Sequence, residues 1–279
     1  VEAITPGRGL RRRLRQAVEA AQLPDGPGDP TPVTDDDLAP LPEPARRWMR
    51  AAGVLGQPRT WSFRVQFRGQ FRLRPDKPWM PCEAWQYTSA IAPARIYVMR
   101  IDMNPVLPVF GTDTYLRGRG RMLGKALGLF TVADGAGPEF DIGELSTYLN
   151  DAVMLAPSTL LVPAVEWGAV DDRSFDVTLH DAGLTSRARV WLDDDDRVID
   201  FRTDDRYADL PGGPVRALWS TPLAPWTDPE GRTHPDGGRA VWLLEDGELE
   251  YAHGAFPRET LVRNIPPSAC VDPLPPAAS

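Results

Sequence analysis

The chain has 279 residues, 42% hydrophobic and 25% charged, close to globular averages, so bulk disorder is excluded and a substantial core is expected. Its 39 acidic residues outnumber 31 basic ones, and a formal charge of -8 argues against binding phosphate backbones, which takes clustered cations. Thirty prolines argue against a helical bundle, because an internal proline removes a helical hydrogen bond and clashes with the preceding turn.

The chain begins with Leu10, Leu14, Val18 and Ala21 at the spacing of one stripe on an amphipathic helix, predicting an N-terminal helix over 1–23 that is an appendage. From Pro24 to Pro44 the composition turns to Pro, Asp and Gly, and an extended linker is expected. A short helix is predicted over Pro44–Ala52, with Gly53 placed to end it. The main domain is expected over 45–265.

After Arg59 the period changes to two. Trp61, Phe63, Val65 and Phe67 alternate with Ser62, Arg64, Gln66 and Arg68, as in a strand with one buried face. Tyr97, Met99, Ile101 and Met103 alternate likewise, and Tyr115, Arg117, Arg119 and Arg121 share one face of a segment punctuated by Gly118 and Gly120. Asp141–Leu155 returns to helical spacing, with Leu145, Tyr148, Leu149 and Ala152 as its stripe and Asp141 with Glu144 as a capping box. A meander follows through Phe175, a strand ending at Trp191 and Leu192, and Phe201, and Asp246-Gly247 marks a hairpin. Residues 266–279, rich in proline, read as a disordered tail. The fold class is therefore mainly β (α+β): a curved antiparallel sheet packed on one long helix.

Several chemistries lack their signatures. The chain has no G-x-S-x-G, H-E-x-x-H, Walker loop or C-x-x-C. The acidic runs Asp35–Asp37 and Asp193–Asp196 lack calcium-loop spacing, and His180, His234 and His253 lie far apart, so no metal site and no cofactor are expected. Cys82 and Cys270 either pair or remain isolated thiols. No apolar run is long enough to span a membrane, and the expected location is the cytoplasm.

What stands out is polar groups set among apolar ones. Glu83 lies between Trp79 and Trp85, Asp113 and Tyr115 precede the arginine-rich segment, Tyr148 sits on the helix stripe a turn before Asp151, and Asp205-Arg206-Tyr207 closes a strand. Buried ion pairs or capping hydroxyls are the plainer reading of each. In a cavity between sheet and helix, the same groups could act as acid or base.

The segments LPEPARRWMRAAGV, FRGQFRL, WMPCEAWQ, TDTYLRGRGRM, DIGELSTYLNDAVMLAPSTLL, VEWGAVDD, DDRY and VWLLEDGELEYAHG run in that order from about residue 41 to 265. Together they resemble an uncharacterised bacterial domain-of-unknown-function family, whose fold is similar to the lipoprotein-carrier (LolA/LolB-like) half-barrels with an apolar concavity. Glu83, Tyr115, Tyr148 and Asp151 match its pattern. Trp85 stands where the resemblance implies an acid, Thr147 where it implies Arg, and Met154-Leu155-Ala156-Pro157 where it implies Trp-Phe-Pro.

Charge is thus exchanged for apolar bulk. The resulting expectation is a half-barrel enclosing a hydrophobic small molecule, as a cofactor-independent cyclase, isomerase or dehydratase of specialised metabolism. Glu83, Tyr115, Tyr148 and Asp113 would act on the ligand, and Trp79, Trp85, Met99, Met154, Leu155, Tyr207 and Trp242 would contact it. The alternatives are a noncatalytic carrier or sensor of lipids, and an interaction module acting through the N-terminal helix.

Overall fold

In the computed structural model, residues 6–27, 30–104, 107–210, 212–245 and 247–272 are described. Helix α1 spans Pro6–Ala21, and its predicted stripe of Leu10, Leu14, Val18 and Ala21 is buried against Trp85, Tyr87, Ile96 and Val98. It is therefore no appendage. An arginine-rich helix with one apolar stripe gains stability by covering a sheet, and this one covers the outer face of two strands.

The expected 24–44 linker is also packed structure. Thr34 caps a one-turn helix α2 (Asp35–Leu38), trading hydrogen bonds with Asp37, and the three acids lie in its first turn, where the helix dipole favours them. Val33, Leu38 and Leu41 enter the main core. Helix α3 follows at Glu43–Ala51, burying Trp48 and Met49, with Gly53 at φ +71° just past its end.

Six strands then form one antiparallel meander: β1 (Ser62–Phe71), β2 (Met80–Ser89), β3 (Ala94–Asn104), β4 (Leu107–Leu116), β5 (Arg119–Ala126) and β6 (Phe130–Ala136). The segment through Tyr115 and Arg121 is not one strand. Arg117 and Gly118 both take positive φ and turn the chain between β4 and β5, so Arg117 leaves the face it was expected to share. Helix α4 (Pro138–Leu155) comes next, three residues longer at its start than predicted. Asp141 is not its cap: its carboxylate accepts from the Gly120 N–H at 2.8 Å and from Arg119 at 2.8 Å. A Cβ at residue 120 would overlap the Phe140 carbonyl, so glycine there lets the β5 backbone lie against the start of α4.

A second meander follows: β7 (Val165–Asp171), β8 (Ser174–Asp181), β9 (Leu184–Leu192) and β10 (Val198–Thr203). Strand Leu218–Ser220 and the hairpin Gly237–Leu244/Gly247–Ala255 join the meanders, because Gly247–Ala255 pairs with β1 and Leu218–Ser220 with β10. Residue 246 of the predicted hairpin turn lies outside the described residues.

Among the described residues one 14-stranded sheet runs from edge β6 to edge β7. α4 packs on β4, β5 and β6 near one edge and on β9 and β10 near the other. One helix can touch both ends only if the sheet curls around it. The expected curved sheet on a long helix is what the chain forms, and it stays open.

The tail expectation fails for residues 266–272. Pro267–Ala269 form a short 3-10 turn, and Cys270 and Val271 are buried beside α1. Arg11 donates to the Val271 carbonyl and Arg64 to that of Asp272 at 2.5 Å, so two buried or half-buried cations find acceptors in this segment. Residues 273–279 lie outside the described ones.

Candidate functional site

Register sorts the concave face of the first meander into layers. Phe63, Thr88, Arg95, Tyr115 and Gly120 are cross-strand neighbours in the first. Val65, Gln86, Tyr97, Asp113 and Met122 form the second, and Phe67, Ala84, Met99, Gly111 and Gly124 the third. Polar groups thus concentrate toward the β4–β5 turn, and apolar ones lie further along.

Facing these layers, α4 presents Glu144, Thr147, Asp151, Met154 and Leu155, a stripe at helical spacing with the same polar-to-apolar gradient. Between sheet and helix lies a cavity of about 910 Å³. Phe67, Phe71, Met99, Met154, Leu155 and Leu261 contribute apolar wall, while Arg95, Asp113, Glu144, Thr147, Asn150, Asp151 and Arg206 contribute polar wall.

Arg95 organises the polar end. Its Nε donates to Asp151 Oδ2 at 2.7 Å, and its Nη1 to Asp113 Oδ2 at 3.0 Å and Glu144 Oε2 at 3.3 Å. Gln86 Nε2 adds a 2.8 Å bond to Asp151 and a 2.9 Å bond to Thr88. No side chain of the Arg95–Asp113–Glu144–Asp151 set is more than 12% exposed. Arg206 lies 3.8 Å from Glu144 Oε1, its guanidinium 4.1 Å above the Trp219 ring.

The electrostatics follow from burial and neighbours. Burial opposes the Arg95 charge, but Asp151, Asp113 and Glu144 together outweigh it and hold the guanidinium above its ordinary pKa. Glu144 moves well above the ordinary carboxyl value, first because it is buried and then because Asp113 is beside it; Arg95 and Arg206 pull the other way. Asp113 and Glu144 accept from the same Arg95 nitrogen. A carboxyl group raised in this way in a cavity wall can donate a proton or accept one. Among the described residues no group of three or more His, Cys, Asp or Glu side chains is arranged to hold a metal ion.

The structure distributes the predicted site residues unevenly. Asp113, Met99, Met154 and Leu155 line the cavity. Glu83 and Trp85 do not, because alternation along β2 puts Cys82, Ala84 and Gln86 inward and Glu83, Trp85 and Tyr87 outward. Trp85 is covered by α1, with Arg11 and Arg64 each 5.4 Å from its ring centroid.

Trp79 is half-buried off the wall, its ring centroid 4.0 Å from that of His253 at a 34° tilt, with Arg72 4.4 Å from its ring. Tyr207 belongs to a small hairpin, Tyr207–Leu210/Gly213–Arg216, and Trp242 is buried in the main core against Tyr251. Tyr115 and Tyr148 are core residues with rings 6.3 Å apart. Their hydroxyls reach Asp181 at 2.6 Å and the Ser89 carbonyl at 3.4 Å. Burial raises both phenols above their ordinary pKa, so both remain protonated donors.

Three members of the polar cluster escaped the sequence reading. Arg95 continues the Tyr97–Met99 alternation two residues back, and the period that marked those two also marks it. Glu144 was assigned to a cap, although α4 contains Glu139, Asp141, Glu144 and Asp151 and no Lys or Arg, so its buried acids require cations from elsewhere. Gln86 carried no signal beyond its parity with Cys82.

The fold and site define an open antiparallel half-barrel with a central helix and a partly polar internal cavity. The chain belongs to a family of unknown function (DUF6544), whose pattern matches residues 31–254. Among solved structures it is similar to a LolA superfamily protein from Nitrosomonas europaea, at 13% identity over 75% of this chain and 90% of that one, with a TM-score of 0.36. It is also similar to a beta-barrel-like protein of domain of unknown function DUF1849 from Brucella abortus, at 12% identity over 74% and 98%, with a TM-score of 0.29. No curated protein matches the chain. No helix among the described residues is long and apolar enough to cross a membrane.

Proposed function

We propose that the protein encloses a hydrophobic small molecule with one polar end in the cavity between the concave sheet and α4. The observation that carries this reading is the layered wall: a buried Arg95–Asp113–Glu144–Asp151 cluster at one end and Phe67, Phe71, Met99, Met154 and Leu155 beyond it. A volume of about 910 Å³ falls in the roughly 300–1,000 Å³ range of small-molecule sites. Apolar walls with a few convergent polar groups give such sites affinity and orientation together.

The placement of Glu144 and Asp113 on one Arg95 nitrogen in the cavity wall favours a second reading, in which enclosure accompanies cofactor-independent cyclisation, isomerisation or dehydration. A flexible substrate held in one conformation beside a carboxyl group able to exchange a proton has both requirements for such a step. A noncatalytic carrier would instead return its ligand unchanged.

The test is native mass spectrometry of the purified chain, followed by binding assays on Met99→Trp and Thr147→Phe, which fill the cavity. A co-purifying hydrophobic molecule whose affinity falls about tenfold or more in both variants is expected. Equal affinity in folded variants would place the ligand elsewhere and overturn the reading. Recovery of the molecule with altered mass or connectivity after incubation separates turnover from carriage.

A further inference from the structure

Exposed apolar side chains gather at one end of the first meander. The β3–β4 and β5–β6 tips both lie at the end away from the Tyr115–Asp181 contact, and Met103, Leu127, Leu129, Phe130 and Val132 there are each 47 to 74% exposed. The two tips are fixed to one another, because the Leu127 N–H donates to the Pro108 carbonyl at 2.9 Å. A group of large apolar side chains held in water in this way marks an interaction surface.

Acids avoid these tips. In a chain with 39 acidic residues, the stretches 103–112 and 122–133 contain none, and Lys125 is their one charge. The Arg-rich first half of α1 adds cations from the outer face. Arg13 lies 4.2 Å from the Phe110 ring and reaches the β5–β6 turn, where a Cβ at residue 128 would overlap its Nη2. Arg12 beside it is exposed, whereas the last turn of α1 lies toward the opposite end, its Ala21 carbonyl accepting from Arg117. Glu245 and Glu248, on the Gly237–Leu244/Gly247–Ala255 hairpin, also lie at the tip end. They are at least four strand spacings away, about 20 Å along the sheet. That is twice the Debye length of about 10 Å at 0.1 M salt, so they leave the cations at the tips largely uncompensated.

We propose that this end of the half-barrel docks on an anionic lipid bilayer, with the β3–β4 and β5–β6 tips entering the headgroup layer and Arg12, Arg13 and Lys125 meeting the lipid phosphates. Apolar tips alone would suit any apolar partner. Bordered by cations and free of acids, they match a surface that is negative at its headgroups and apolar beneath. Either signal alone gives marginal attachment, and the two together give a stable one. The net charge of -8 repels most of the molecule from such a surface, which orients the docking through this one end. Nothing in the inference depends on a ligand in the cavity.

The experiment floats the full chain with vesicles of phosphatidylcholine alone or of phosphatidylcholine and phosphatidylglycerol in equal parts. Binding to the mixed vesicles is expected to be about tenfold or more tighter than to phosphatidylcholine, and to weaken as salt rises from about 0.1 M to about 1 M. Leu129→Ser/Phe130→Ser changes two exposed side chains, so the fold should persist while binding to mixed vesicles falls about tenfold. Arg12→Glu/Lys125→Glu should erase the preference for the anionic vesicles. Circular dichroism and thermal unfolding confirm that both variants are folded.

No flotation with the mixed vesicles, or undiminished flotation of the folded Leu129→Ser/Phe130→Ser variant, overturns the proposal. Dimerisation without vesicles that this variant abolishes would assign the surface to a second copy of the chain and overturn it equally.

Discussion

The phenol of Tyr115 donates a 2.6 Å hydrogen bond to Asp181 Oδ2, joining the end of β4 to the end of β8 across the mouth of the curled sheet. The adjoining turns also meet, since a Cβ at residue 118 would lie against the Ala182 side chain. Two arms separated by most of the sheet order are thereby held together at the polar end of the cavity. A hydrogen bond to an ionised acceptor contributes about 1.5–3 kcal/mol. Tyr115→Phe should lower the unfolding free energy by about that amount in urea titrations. A Tyr115→Phe/Asp181→Asn cycle should show coupling of the same sign, and additive single effects would mean that the two arms are not held by this contact.

Arg95 is the single cation whose loss strands the most buried charge. Three carboxyl oxygens accept from it, and the acids concerned are nearly closed to solvent. Arg95→Leu is expected to destabilise the fold by about 3–5 kcal/mol, as for other buried pairs broken from one side. Arg95→Lys keeps a charge but cannot reach three acids with a planar fork, so an intermediate loss is expected. Thermal unfolding checks both, and an Arg95→Leu protein as stable as wild type would show that the acids are satisfied without it.

Elements that bury one periodic face were legible from the chain alone. The α1 stripe, Phe63 and Val65 on β1, and Leu145, Leu149 and Ala152 on α4 bury as their spacing predicts, whereas Ser62 and Arg64 on the other face of β1 are buried too and Phe67 is only half-buried. What periodicity cannot show is which side of a two-sided sheet faces the cavity. Trp85 and Glu83 read as cavity residues because a second apolar layer, α1, covers the outer face and makes both faces of β2 look interior. Arg95 and Glu144 were hidden for the opposite reason: a charged residue reads as solvated until its partners are seen beside it, and those of Arg95 lie 18, 49 and 56 positions away in sequence. The Pro-rich segments misled because proline marks irregular backbone, and irregular backbone here is packed, as Val33, Leu41 and Val271 show.

The two cysteines remain apart, both buried as free thiols. Cys82 points into the cavity from β2, while Cys270 packs beside α1 on the outer face. Burial pushes the Cys82 thiol up to about 12 and that of Cys270 up to about 11, so the reactive thiolate is scarce in the folded protein. Native protein at about pH 8 should therefore react slowly with a maleimide, and unfolding should release both thiols for reaction. Added reductant should leave the melting temperature unchanged. A reductant-sensitive transition would instead indicate a disulfide.

Glu144 gives the fold a definite pH signature. Burial and then Asp113 raise its carboxyl above the ordinary value of 4.5, against the opposing pull of Arg95 and Arg206. Above pH 4.5 the unfolded chain releases this proton while the folded chain retains it. The folded state binds more protons in that window, so its stability from this group is complete below the unfolded value and is lost as pH rises through the folded one. Glu144→Gln holds the side chain in its neutral shape and removes the dependence. Urea titrations from about pH 5 to about pH 8 should show Glu144→Gln gaining on wild type, with a slope of at most about 1.4 kcal/mol per pH unit for one proton. A stability difference that stays flat across that range would mean that Glu144 is ionised in the folded protein.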